Sequence, residues 1–128
     1  MHYERHFNLE EARQLLPHLR QNLIIIRNLS LRLKALGFDI YKGQYKIGFH
    51  PGTLKEFPPE YQKMREHVAD IYLLGIEIKG IEQGLIDFPA VRENGEEVFL
   101  CWKMDEDDIE FWHRIEDGFN GRNHIDEF

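Results

Sequence analysis

Apolar residues recur at alternating steps of three and four along Leu9, Ala12, Leu16, Leu19, Leu23, Ile26 and Leu33, interrupted only by Ser30. That period is the seam of an α-helix packed lengthwise. Asn8 stands just before it and can cap the first free amides, while Glu11 reaches back to the Asn8 backbone. Phe7 against Ala12 would add a hydrophobic staple, Pro17 a kink, and Gly37 a left-handed stop. The pattern predicts a helix over 8–36. Leu15, Ile24, Ile25, Leu29, Leu31 and Leu36 lie off the seam, so a second apolar face needs cover from the hairpin described below or from another subunit.

The period breaks over 38–59, a long connection with Gly43, Gly48 and Gly52 and a short hairpin expected around Lys42-Gly43. Tyr41, Lys42, Tyr45, Lys46 and Phe49 could stack on and pair with an anionic ligand or a single strand. The plainer reading, that these aromatics cover the open end of a helix pair, is favoured because packed aromatics outnumber functional exposed ones. Pro58-Pro59-Glu60 then opens a second helix over 60–84, with Tyr61, Met64, Val68, Ile71, Leu74, Ile78, Ile81 and Leu85 repeating the seam antiparallel to the first. Gly75, Gly80 and Gly84 each cost such a helix ~0.8–1 kcal/mol relative to alanine, which points to close backbone approach or, at Gly84, to its end.

Residues 85–103 read as a β-hairpin about Asn94-Gly95. A two-residue loop would put Pro89 in a hydrogen-bonded pair with Leu100, where its missing N–H leaves a carbonyl unpaired. A three-residue loop with Gly95 left-handed pairs Arg92 with Glu96 and sets Pro89 opposite Phe99 in a non-hydrogen-bonded pair. The second register is expected. It makes one face wholly apolar, Ile86, Phe88, Ala90, Val98, Leu100 and Trp102, and leaves Asp87, Pro89, Val91, Glu97, Phe99 and Cys101 on the other. A short acidic helix over 106–117 is expected to follow, burying Ile109, Trp112 and Ile115, with a fraying tail after Arg122. The fold class is α+β, mainly α: one domain over 1–128, built as a long antiparallel helical hairpin with a C-terminal β-hairpin and a short helix.

The formal charge of −7 is concentrated in residues 101–128, which carry 3 basic and 9 acidic side chains. Such a surface repels phosphate backbones and argues against nucleic acid as a partner. The longest apolar run, Leu23 to Ile26, falls far short of the ~20 residues of a membrane span, and MHYERHFNLEEA lacks the apolar core of a signal peptide. With Cys101 as the single cysteine, a soluble protein of the reducing cytoplasm is expected.

The strings FNLEEARQLLP (7–17), GLIDFPAVR (84–92), NGEEVFLCW (94–102), IEFWH (109–113) and GFNGR (118–122) closely resemble the bacterial family known as domain of unknown function 2203. The resemblance covers nearly the whole chain and implies a small soluble bacterial protein. It carries no catalytic residues with it. Members often have Gly-Glu after the Cys-Trp strand where this chain has Asp105-Glu106.

Lys79, Asp87, Arg92, His113 and Arg122 are polar residues set beside apolar anchors, and groups so placed usually have a partner or a task. They can form a ligand site, or ion pairs joining hairpin to helices, for example Asp87 with Arg122; ion pairs are the commoner arrangement. Asp87, Cys101, His113 and His124 could recruit a metal, although no pair of them has a metal-ligand spacing. Cys101 as a nucleophile with His113 as base is weaker still, since a strand cysteine beside Phe99 usually packs. No role falls to His18, His50 or His67, and the pattern names no cofactor. The favoured reading is a non-catalytic interaction or regulatory module, a homodimer through the surplus face of the first helix and open to a protein partner. The alternative is a small-molecule or metal-binding protein, a hydrolase included, with its site near Asp87, Arg92, His113 and Arg122.

Overall fold

The computed structural model describes residues 1–52 and 57–128; the part of the expected 38–59 connection at 53–56 lies outside them. Helix α1 spans Leu9–Ala35 and begins on the expected capping box: the Glu11 amide donates to Asn8 Oδ1 at 2.8 Å, and the Asn8 amide to Glu11 Oε1 at 3.2 Å. It ends at Gly37, whose φ of +71° suits glycine, and whose missing side chain leaves room for the Phe49 ring. Two short strands follow, β1 (Phe38–Asp39) and β2 (Gln44–Tyr45), paired about the Lys42-Gly43 turn. Phe38 meets Tyr45 and Phe57 edge to face, Phe57 stacks on Tyr61, and Tyr61 lies tilted against Phe38, so the four rings cluster over the end of the helices while Tyr41 stands exposed.

Helix α2 spans only Pro59–Leu73 and runs back along α1. The seam that predicts helix to residue 84 misleads here. Gly75, with φ +90°, ends the helix, and Ile76 and Ile78 turn inward while Glu77 and Lys79 alternate with them, a period of two. This stretch is strand β3 (Glu77–Gly80). It pairs with β4 (Leu85–Val91) across a bulge at Lys79.

Strands β4 and β5 (Glu97–Lys103) have the expected register: Pro89 faces Phe99, and the Arg92 amide donates to the Glu96 carbonyl at 2.8 Å. Gly95 sits at φ +87°. The predicted helix over 106–117 does not form. Residues 104–108 turn, and Phe111–Arg114 is strand β6, laid antiparallel on β5. Spacing and an acidic first turn point to a helix, but Phe111-Trp112 has high strand propensity, and the free edge of β5 offers a full ladder of hydrogen bonds. The tail does not fray either: β7 (Asn123–His124) pairs with β6, and Arg92 donates to the carbonyls of Glu127 and Phe128.

The architecture is therefore a pair of helices on a five-stranded antiparallel sheet of order β3-β4-β5-β6-β7, in place of the expected helical hairpin with an appended β-hairpin and helix. The first sheet face, Ile86, Phe88, Ala90, Val98, Leu100 and Trp102, is wholly buried and shares one apolar cluster with the α1 seam. Trp102 Nε1 donates to the Glu106 carbonyl at 3.0 Å, and the Arg20 guanidinium lies over its ring. Among the described residues, no helix is long and apolar enough to cross a membrane.

Candidate functional site

The second face of the sheet carries the polar chemistry. Asp87 on β4 lies directly opposite Cys101 on β5, and His113 on β6 lies opposite Phe99, so its ring reaches diagonally across β5 to the aspartate. His113 Nε2 meets Asp87 Oδ2 at 3.0 Å, with the two side chains 4% and 2% exposed. Cys101 is as deeply buried. One ligand-type atom from each of the three lies within 4.8 Å of the others. Among the described residues, Asp87 Oδ1 has no hydrogen-bond partner.

The surroundings fix these groups. His113 Nδ1 bonds the Arg114 carbonyl at 2.7 Å, which makes Nδ1 the donor and turns Nε2 towards Asp87. Phe99 packs against the imidazole, and Tyr3 of the N-terminal arm closes edge-on over Phe99, with the Lys79 ammonium 5.0 Å from the same ring. Burial pulls the His113 pKa down, but the hydrogen bond and charge of Asp87 and the Arg114 carbonyl raise it on balance. Burial, reinforced by the Asp87 charge, holds the Cys101 thiol far above its ordinary range. The thiol is no free nucleophile in this state.

Beside the trio opens a cleft of about 300 Å³, lined by Lys79, Leu85, Asp87, Phe99, Cys101, His113, Ile115, Asp117, Gly118 and Phe119. Of the five residues singled out from the sequence, the structure brings Lys79, Asp87 and His113 together here. Arg92 lies elsewhere: it pairs with Glu96 at 2.9 Å and covers the Trp112 ring. Arg122 binds both carboxylate oxygens of Glu106, at 2.7 and 2.9 Å, and lies over Phe111 and Phe119. The expected pair of Asp87 with Arg122 is therefore replaced by Asp87 with His113. Of the four residues weighed as metal ligands, His124 drops out, half-exposed beside Asp126.

Residues 5–125 match the family model described as uncharacterized conserved protein, DUF2203. The chain belongs to that family. The DUF2203 match covers every residue that lines the cleft, whereas Tyr3, which closes over Phe99, stands outside the matched range. Neither the curated proteins nor the solved structures contain a match.

Proposed function

We propose that the protein binds a small polar ligand or ion in the cleft above Asp87, Cys101 and His113, and that it does so in a reducing cytoplasm, where the thiol stays free. The observation that supports this is the buried Asp87–His113 pair on the cleft wall, with one carboxylate oxygen left unbonded. Apolar residues of similar volume would serve packing as well or better than a buried ion pair. Buried ionisable groups on a concave wall are instead what a binding site requires. Native mass spectrometry of protein purified without chelator tests it. Mass above that of the chain, lost in His113→Gln, is expected; bare chain in both proteins would remove the reading.

A second reading, a non-catalytic interaction or regulatory module acting as a homodimer, is supported by α1. Its off-seam Ile24, Ile25 and Leu31 remain 38%, 38% and 48% exposed, whereas Leu29 of the same off-seam set is buried within the chain. The same spectra decide it: a dimer that Ile25→Glu dissociates supports the module, and a monomer at every concentration sinks it.

A further inference from the structure

We propose that Asp87, Cys101 and His113 form a mononuclear transition-metal site of the zinc class, with three protein ligands and a fourth position facing the cleft. The inference rests on the ligand-site reading above and names the ligand. Its first support is distance. In a tetrahedral zinc centre, bonds of about 2.0 Å to N or O and 2.3 Å to S place ligand atoms roughly 3.3–3.5 Å apart. The three donors here already lie within 4.8 Å of one another, with Nε2 and Oδ2 at 3.0 Å, so small side-chain rotations suffice.

The second support is how the donors are held. Asp87 and Cys101 are cross-strand partners at the centre of the sheet, on strands paired on both edges, so their spacing is set by the ladder. His113 Nδ1 donates to a backbone carbonyl, the outer hydrogen bond that metal-binding histidines almost always make and that aims Nε2 at the ion. The third is the unbonded Oδ1, buried on a side chain only 2% exposed. A carboxylate oxygen left so is costly in a protein interior, and a cation beside it, or a water held by that cation, would satisfy it.

The donor set also selects among ions. One thiolate, one imidazole and one carboxylate form a mixed soft and hard site that suits zinc or its first-row neighbours and disfavours magnesium and calcium, which want oxygen alone. On binding, the ion replaces the Sγ proton and the proton shared by Nε2 and Oδ2, both released to solvent. Among the described residues, this is the one group of three or more such side chains with converging ligand atoms.

Cobalt(II) is the probe, added to chelator-treated full-length protein. The expected result is one equivalent bound, with a thiolate-to-cobalt charge-transfer band in the near ultraviolet and visible bands strong enough for a tetrahedral site; zinc then displaces it. Cys101→Ser should abolish the charge-transfer band. Asp87→Asn should lower zinc affinity, read against a chromophoric chelator, by more than the ~10–100-fold that loss of an outer partner costs. His124→Ala should change neither. Circular dichroism confirms that each variant is folded, and the wild-type spectrum stands without them. Wild-type protein that is folded but gives no such band overturns the metal. If that protein still carries an organic mass that His113→Gln loses, the ligand reading survives alone; if it carries none, both fall.

Discussion

The two faces of one sheet are buried by different means. On the first, six side chains from β4 and β5 meet the α1 seam with no polar atom except the Trp102 indole N–H, which is bonded. On the second, the neighbouring positions of the same strands hold an aspartate, a cysteine and, across β5, a histidine, closed over by an arm rather than a helix. The contrast separates what folding needs from what it tolerates. Apolar burial on the first face stabilises the domain outright. A desolvated ion pair on the second is close to neutral at best, and it persists only while both partners are present.

Trp102→Ala should break the first face most severely, by about 3–5 kcal/mol in urea unfolding, because a large aromatic leaves a cavity and takes its hydrogen bond with it. A negligible loss would show that this face is not the core. On the second face, His113→Leu should cost about 2–3 kcal/mol by leaving Asp87 unpaired. The double variant Asp87→Leu/His113→Leu should recover most of it. Strict additivity of the two single changes would sink the pairing. Gly95→Ala, at the turn both faces share, should cost about 1 kcal/mol through backbone strain alone, since nothing lies near a Cβ there. An unchanged melting temperature would contradict the left-handed turn.

The smallest effect concerns the arm. Burial raises the Glu97 pKa, but bonds from the His6 ring, the His2 and Tyr3 amides and the His2 ring outweigh it and depress the folded value to about 2 from 4.5. The stabilisation is therefore complete above pH 4.5 and is lost as pH falls towards 2. Urea midpoints of the wild type should drop more across that window than those of Glu97→Gln. Parallel curves would mean that the arm does not depend on this carboxylate.

How much of this was legible varies by residue. Asn8, Glu11 and Gly37 fix α1 through local hydrogen bonding and backbone conformation, which sequence displays directly. Pro89 and Gly95 fix the hairpin register, and with it the shared face of Asp87 and Cys101. The misses share one cause. Ile71, Leu74, Ile78, Ile81 and Leu85 keep a helical spacing across Gly75, and Ile109, Trp112 and Ile115 do so across β6, yet partnership with distant strands decides both. Asp87, Cys101 and His113 were all candidates in the chain, but only the first two were placed on one face by it; His113 reaches them through the pairing of β6 with β5. The aromatic run Phe111-Trp112 beside an unpaired hairpin edge is the signal for that strand.

Strand β3 covers only the first half of the outer edge of β4, since its pairing starts at Glu77 opposite Asp87. Beyond that point Pro89 offers no N–H, and its carbonyl accepts the Phe7 amide at 2.7 Å. At Pro89 that edge thus has its donor deleted and its acceptor occupied, which blunts it against a foreign strand. Loss of the arm up to Phe7 would return a free carbonyl and a bare apolar flank to solvent, and with them a route to intermolecular sheet growth. The arm that closes over Phe99 is in the same stroke a guard against self-association through strands.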